Sequence, residues 1–355
     1  MPEVVSDYAL PSNRTDQLLD YPFSRPDESF ATDGTEITPL SDYFHEFYAE
    51  SNDILRDAGL PSIDQRVAVV AYGANSNPVR LRDKMEKFGS PDMQPHLQTV
   101  PHLLATMPDT MVAWHGKPGQ SGSVFAELYR GPETEGISSQ VHVAYLTPLQ
   151  LAMLHATEGV TYNLARVQVL DDDGYEIPAV AYVAGSSEIL LQNGQPVPVK
   201  RANDNADAVG MTAEQAVDYM LQHVGSAVGA SNARELIAQM KDLSLAEKKA
   251  RQASISQALG QVGVNRKFRF PVADTERIGR ADFNWIQPPH TILQLAEQVV
   301  APLRPEIDQL TARVSTLQID EGLSFDAALT KARKQLDIAQ VLRTRAHNEL
   351  AERLK

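Results

Sequence analysis

Between Arg66 and Gly185 the chain is written in short β-branched runs broken by turn residues, and a segment patterned in that way buries itself as a sheet. Val67 to Tyr72 is apolar without a break, which marks a buried strand that ends at Gly73. Val124 to Tyr129 and Val141 to Leu146 follow. Arg166 to Leu170 then leads through Asp171-Asp172-Asp173-Gly174 into Ile177 to Val183, the pattern of a hairpin. One short helix interrupts the strands. Thr147-Pro148-Leu149-Gln150 supplies a Thr cap, a Pro at the first helical position and a Gln three residues after the cap, and Gly159 stops the helix.

The flanks are patterned differently. Residues 1–36 mix Pro, Ser, Asp, Thr and Asn without periodicity and predict an irregular N-terminal arm. Residues 37–65 hold one amphipathic helix, with Phe44, Phe47, Tyr48, Ile54 and Leu55 on its apolar side, Ser41 as N-cap and Gly59 at its end. After the sheet-rich segment 66–185, the stretch 186–265 reads as a helical bundle segment. Thr212 precedes Ala213 to His223, Asn232 precedes Ala233 to Leu243, and Ser244-Leu245-Ala246-Glu247 is a capping box opening a helix to Leu259. Residues 266–355 predict a connector followed by a long helical hairpin, in which Leu303, Ile307, Leu310, Val314 and Leu317 repeat as two heptads and offer a surface for homo-oligomer formation. The fold class is α+β.

Charge narrows the function classes. Among 355 residues, 32 Lys and Arg stand against 46 Asp and Glu, a formal charge of −14. That balance argues against a binder of duplex nucleic acid or of an anionic membrane, since both need clustered cations to offset phosphate. With no cysteine there is no disulfide, thiolate metal site or Cys nucleophile. Met1-Pro2-Glu3 starts no signal-peptide pattern and no run of about eighteen apolar residues occurs, which predicts a soluble, cytoplasmic protein.

Two places have the makings of chemistry. In Tyr72-Gly73-Ala74-Asn75-Ser76-Asn77-Pro78 a buried strand turns through Gly and Asn into a helix, and successive backbone N–H groups in such a turn can converge on a carboxylate. Glu158 follows Leu151 and Leu154 by helical spacing, so its carboxylate shares their face, in the last turn before Gly159. Burial and the negative end of the helix dipole both raise the pKa of such a group, which suits it to taking and returning a proton.

Taken together, the Gly73 loop and Glu158-Gly159 with Tyr162 and Arg166-Val167 behind it resemble the gamma-glutamylcyclotransferase-like family, over about 120 residues from 66 to 185. The resemblance implies a small mixed β-barrel with a cavity between loop and glutamate, acting without metal or cofactor. It implies conversion of a gamma-glutamyl compound to 5-oxoproline and an amine. Glu158 would be the acid/base. Tyr72, Gly73, Ala74, Asn75, Ser76 and Tyr162 would bind substrate, the first and last as walls or hydroxyl donors. Ala74 stands where the family usually has Ser, which keeps the N–H and removes a hydroxyl. The competing reading is a non-catalytic scaffold that works through a degenerate barrel and the C-terminal helices. A third reading keeps an enzyme and changes the reaction, as in cleavage or transfer at a gamma-glutamyl amide on a larger carrier.

Other constellations are weaker. Gly119-Gln120-Ser121-Gly122-Ser123 misses the nucleophile elbow and the phosphate loop. His96, His102, His115, His142 and His155 show no helical ligand spacing, Asp171 to Gly174 reads as a hairpin tip, and Asn265 to Phe270 as a partly exposed strand.

Overall fold

A computed structural model describes residues 3–86, 98–147, 150, 151, 154, 162–185, 187–200, 210–224, 228–271 and 277–278. The heptads at 303–317 and the terminal hairpin lie outside the described residues.

The apolar runs become strands as their patterning requires. In chain order these are β1 (Glu3–Val4), β2 (Phe30–Thr32), β3 (Glu36–Pro39), β4 (Val67–Ala71), β5 (Val100–Pro108), β6 (Met111–Trp114) and β7 (Ala126–Tyr129). They continue as β8 (Ser138–Leu146), β9 (Tyr162–Leu170), β10 (Glu176–Ala184), β11 (Ser187–Gln192), β12 (Gln195–Pro196), β13 (Asn265–Phe268) and β14 (Arg277–Ile278). Nine of them form one sheet in the order β1-β3-β2-β5-β8-β4-β10-β9-β14. Among the described strands of this sheet only β4 and β10 run parallel. The fold is a mixed α+β architecture around this large mixed sheet. A further pairing of Thr106 with Leu170 joins β5 to β9, so the sheet curls until strands four places apart meet. No described helix is long and apolar enough to cross a membrane.

The N-terminal arm differs from the irregular segment that its composition predicts. It contributes β1 and β2 to the sheet and a short helix α1 (Arg14–Leu19), with β2 laid against β5 through Phe30–His102, Ala31–Pro101 and Thr32–Val100. Leu19 and Ala31 join the main core, whereas Val5 and Phe30 pack with Ile37 and Val79 in a small core of their own. Helix α2 (Phe44–Asp57) forms where the apolar spacing places it, but Ser41 is not its cap. Asp171 at the β9–β10 hairpin tip accepts from the Phe44 N–H at 2.8 Å and does that work. The same side chain accepts from Asp173 and Tyr175, so it shapes its own turn and caps a helix far away in sequence.

Helix α3 (Pro78–Glu86) follows β4, and α4 (Ala213–Val224), α5 (Ala233–Lys241) and α6 (Leu245–Gln261) make the bundle. Their caps are local and match the sequence pattern. Thr212 and Gln215 exchange side-chain and backbone bonds, Asn232 accepts from Glu235, and Ser244 and Glu247 form a reciprocal capping box. The bundle docks where Gly119–Ser123 folds into a tight turn. Gly122 sits at φ +85°, and a Cβ there would lie 2.9 Å from the Ile237 backbone on α5, so only glycine allows this approach.

Candidate functional site

The loop at Gly73 is built by its own polar side chains. Ala74–Ser76 make a 3-10 turn, and the Ser76 hydroxyl donates to the Gly73 carbonyl at 2.7 Å. Asn77, fully buried, accepts from the Arg80 N–H at 2.7 Å and so caps α3, with Pro78 at the first helical position. The side chain of Asn75 accepts from the Lys84 ammonium at 2.7 Å, which puts a buried cation from α3 behind the loop. The Tyr72 hydroxyl donates to the Tyr182 carbonyl at 2.7 Å. Tyr72 is therefore a fixed wall, and the Ser76 hydroxyl is turned inward to the backbone.

Register brings Tyr162 to the same end of the sheet. Val70 pairs with Ala181 across the parallel strands, so two residues further on Tyr72 is abreast of Val183 and Gly73 of Ala184. Tyr162 is the antiparallel partner of Ala184. The loop and Tyr162 thus lie at one end, with only the β10 terminus between them. Asn163 stands beside Gly185 there, its amide nitrogen 2.6 Å from where a Cβ at Gly185 would be. Glu158 lies outside the described residues. The helix opening ahead of it forms as its sequence specifies: Thr147 and Gln150 bond reciprocally, the Leu151 N–H donates to the Thr147 carbonyl, and Leu151 and Leu154 are buried.

The N-terminal arm also reaches this end, which nothing in its sequence signals. A Cβ built on Gly73 would lie 2.6 Å from the hydroxyl oxygen of Tyr21. The arm is tied down along its length. Asn77 donates to the carbonyls of Tyr8 at 3.0 Å and Ser24 at 2.7 Å. Ser123 donates to the Leu18 carbonyl, and Arg25 donates to the Gln140 carbonyl at 3.1 Å. Arg234 pairs with Asp16 at 2.7 Å, and the Ala126 N–H donates to the Tyr21 hydroxyl. The Tyr21 ring packs against Trp114 and Phe23. Each uncharged bond contributes about 0.5–1.5 kcal/mol net, so several held together from separate elements make this segment a wall and not a lid.

A buried carboxyl that no sequence motif marks stands on β7. Glu127 on β7 is 2 % exposed, accepts from the Ser187 hydroxyl at 3.1 Å through one oxygen, and has no partner for the other among the described residues. Burial pushes its pKa up to about 8, against a smaller lowering by Ser187. Its strand partner is Ala113, on the hairpin face shared with Met111 and Tyr129, whereas Ala126 and Trp114 face the other way. Glu127 therefore holds a proton at neutral pH on the side away from Tyr21. His102 and His142 stand in the core, with their rings 6.1 Å apart and His102 stacked on Phe30. Among the described residues no three His, Asp or Glu side chains gather as a metal-binding group. Comparison with known proteins finds no matching family model, no matching curated protein and no matching solved structure.

Proposed function

We propose that the chain is a gamma-glutamylcyclotransferase-like enzyme in which Glu158 moves the proton and the Gly73 loop cradles the substrate. The observation that carries this reading is the convergence of the loop and Tyr162 at one end of the sheet, in the order and spacing on which the resemblance rests. Glu158 comes four positions before Tyr162, with Gly159, Val160 and Thr161 between them. A connection of that length spans at most about 14 Å. The meeting of β5 with β9 supports a small barrel as the scaffold.

The reaction is an internal aminolysis. The α-ammonium of a gamma-glutamyl group gives a proton to Glu158, the freed amine forms a bond to its own γ-carbonyl carbon, and the amide bond to the leaving amine breaks. Glu158 returns that proton to the departing nitrogen, takes the second proton from the ring nitrogen and passes it to the released amine, which leaves as an ammonium ion, so atoms and charges balance. The N–H groups of Gly73, Ala74 and Asn75 hold the substrate carboxylate, with the Lys84 charge behind them, and this ordering removes entropy from the ring closure. The substrate is a gamma-glutamyl amine, free or on a carrier, in a cytoplasmic setting.

A scaffold role is the second reading. It is favoured by the occupied polar groups: Tyr72 and Ser76 bond internally, and the Tyr21 hydroxyl lies against Gly73. One experiment separates the two. The purified protein is incubated with a panel of gamma-glutamyl amides and 5-oxoproline is measured by mass spectrometry, for wild type and Glu158→Gln. We expect release by wild type and a drop of about 10²–10⁴-fold in the variant, the usual contribution of a general acid/base, with an unchanged circular dichroism spectrum. No turnover across the panel favours the scaffold.

A further inference from the structure

We infer that Tyr21 is a specificity-determining residue of the site at Gly73, closing the cradle so that it accepts a gamma-glutamyl group with a free α-carboxylate and rejects one whose α-carboxylate continues into a peptide. This inference rests on the reading above. Its observation is independent of it: the space over Gly73 that a side chain would fill is held by the Tyr21 hydroxyl, 2.6 Å from an ideal Cβ, with the next atom of the ring at 3.6 Å.

A carboxylate received by the N–H groups of Gly73, Ala74 and Asn75 has Tyr21 immediately beside it. A chain extended from that carboxylate has to pass the place where Tyr21 stands. The tyrosine does not step aside readily, because the Ala126 N–H holds its hydroxyl and Trp114 and Phe23 pack on its ring. On either side of it the arm is pinned by Asn77 at Ser24 and Tyr8, and by Ser123 at Leu18. Extension at the α-carboxylate leaves the attacking amine, the γ-carbonyl and the leaving group unchanged. Discrimination between the two substrates is therefore a matter of fit and not of reactivity.

The test uses the full chain with gamma-glutamylalanine and with the analogue whose glutamyl α-carboxylate is amide-linked to glycine, which keeps a terminal carboxylate. Products are 5-oxoproline and 5-oxoprolylglycine. We expect wild type to prefer the first by about 100-fold in kcat/KM, within the range that steric selection attains. Tyr21→Ala narrows the preference at least about tenfold through a lower KM for the extended compound, with kcat for it little changed. Equal turnover of both compounds by wild type overturns this inference alone. No turnover of either compound, nor of any other in the panel, removes the reading of the site and this inference with it. Because Tyr21→Ala removes a packed ring, the contact is also measured by a double-mutant cycle without reference to activity. Gly73→Ala lowers Tm by about 5 °C, and adding Tyr21→Phe recovers more than half of that loss, since the ring then meets the new methyl at ordinary contact distance. Strict additivity of the two substitutions contradicts the placement of Tyr21.

Discussion

Replacing Arg66 with leucine is expected to cost about 3 kcal/mol of stability, the balance between the donor lost to its acceptors and the relief of a buried charge. Arg66 precedes β4 and is 4 % exposed. Its Nε donates to the Pro61 carbonyl at 3.0 Å, and one terminal nitrogen donates to the carbonyls of Thr99 and Tyr145, each at 3.1 Å, and to Gln150 Oε1 at 3.3 Å. Among the described ion pairs none involves it, and its other terminal nitrogen has no partner. Burial pushes its pKa down to about 9, but the group remains a cation at neutral pH, so the carbonyls do the work of solvent. Leucine removes the desolvation cost of the charge. It also takes that donor from four oxygens; the Thr99 carbonyl keeps Gln150 Nε2 and Gln150 Oε1 keeps the Thr147 N–H, so the loss falls chiefly on the Pro61 and Tyr145 carbonyls at roughly 1–3 kcal/mol each, and this second effect is the larger. Lysine does not rescue, because one ammonium on a flexible stem does not reproduce the planar fork that joins three backbone segments. At roughly 2–4 °C per kcal/mol, the melting temperature of Arg66→Leu falls by about 6–12 °C. An unchanged melt shows that the carbonyl cluster is satisfied without the guanidinium. Gln150 also caps the helix opening at Thr147, so the loss loosens the run that leads toward Glu158.

What was legible in the sequence was local. The reciprocal bonds at Thr147 with Gln150, Thr212 with Gln215 and Ser244 with Glu247 each span three residues, and the side-chain chemistry at that separation fixes them wherever the helix goes. The run Val67–Ala71 has only one use, as a strand inside a sheet. The Gly73 loop was found because a glycine and two asparagines mark a turn. What escaped depends on partners far along the chain. The sequence marks Asp171 as a hairpin tip, and its second task at Phe44 depends on a neighbour 127 residues away. Strand β5 was missed because Pro101, His102 and Pro108 interrupt its pattern, although His102 is fully buried once Phe30 stacks on it. The arm looked irregular since its strands are two to four residues long and pair only across space. Glu127 sits between Ala126 and Leu128, where period two suggests a solvent-facing position, and only the packing of β11 against that face buries it. Tyr21 carries no pattern at all.

Stability is expected to peak near pH 6.5 and to fall on both sides for different reasons. On the acid side the groups are His102, His115 and His142. Burial lowers His102 to about 3 and His115 to about 4, and holds His142 well below its ordinary value, with Arg25 and His102 adding to the effect there. The unfolded chain binds protons at these sites below about pH 6.5 and the folded one does not, so stability is lost as pH falls through that window, by about 1.4 kcal/mol per unit for each site. Glu127 acts in the opposite sense. Its folded pKa of about 8 lies above its unfolded value, so the folded state holds a proton that the unfolded state releases from about pH 4.5 upward. Its contribution is full below that pH and is lost as pH rises toward 8. Three histidines outweigh one glutamate between pH 5 and 6.5, where the net loss on acidification is of the order of 2–4 kcal/mol. Above about pH 7 the histidines are mostly neutral in both states and Glu127 dominates, removing about 1 kcal/mol by pH 8. Glu127→Gln keeps an oxygen for Ser187 and does not titrate, and any penalty from its amide hydrogens is the same at every pH. Denaturant unfolding from pH 5 to 8.5 should therefore show the alkaline fall in wild type and a level limb in the variant, with the acid limb present in both. An alkaline fall that persists in Glu127→Gln assigns the titration to another group and leaves the buried carboxyl ionised in the fold.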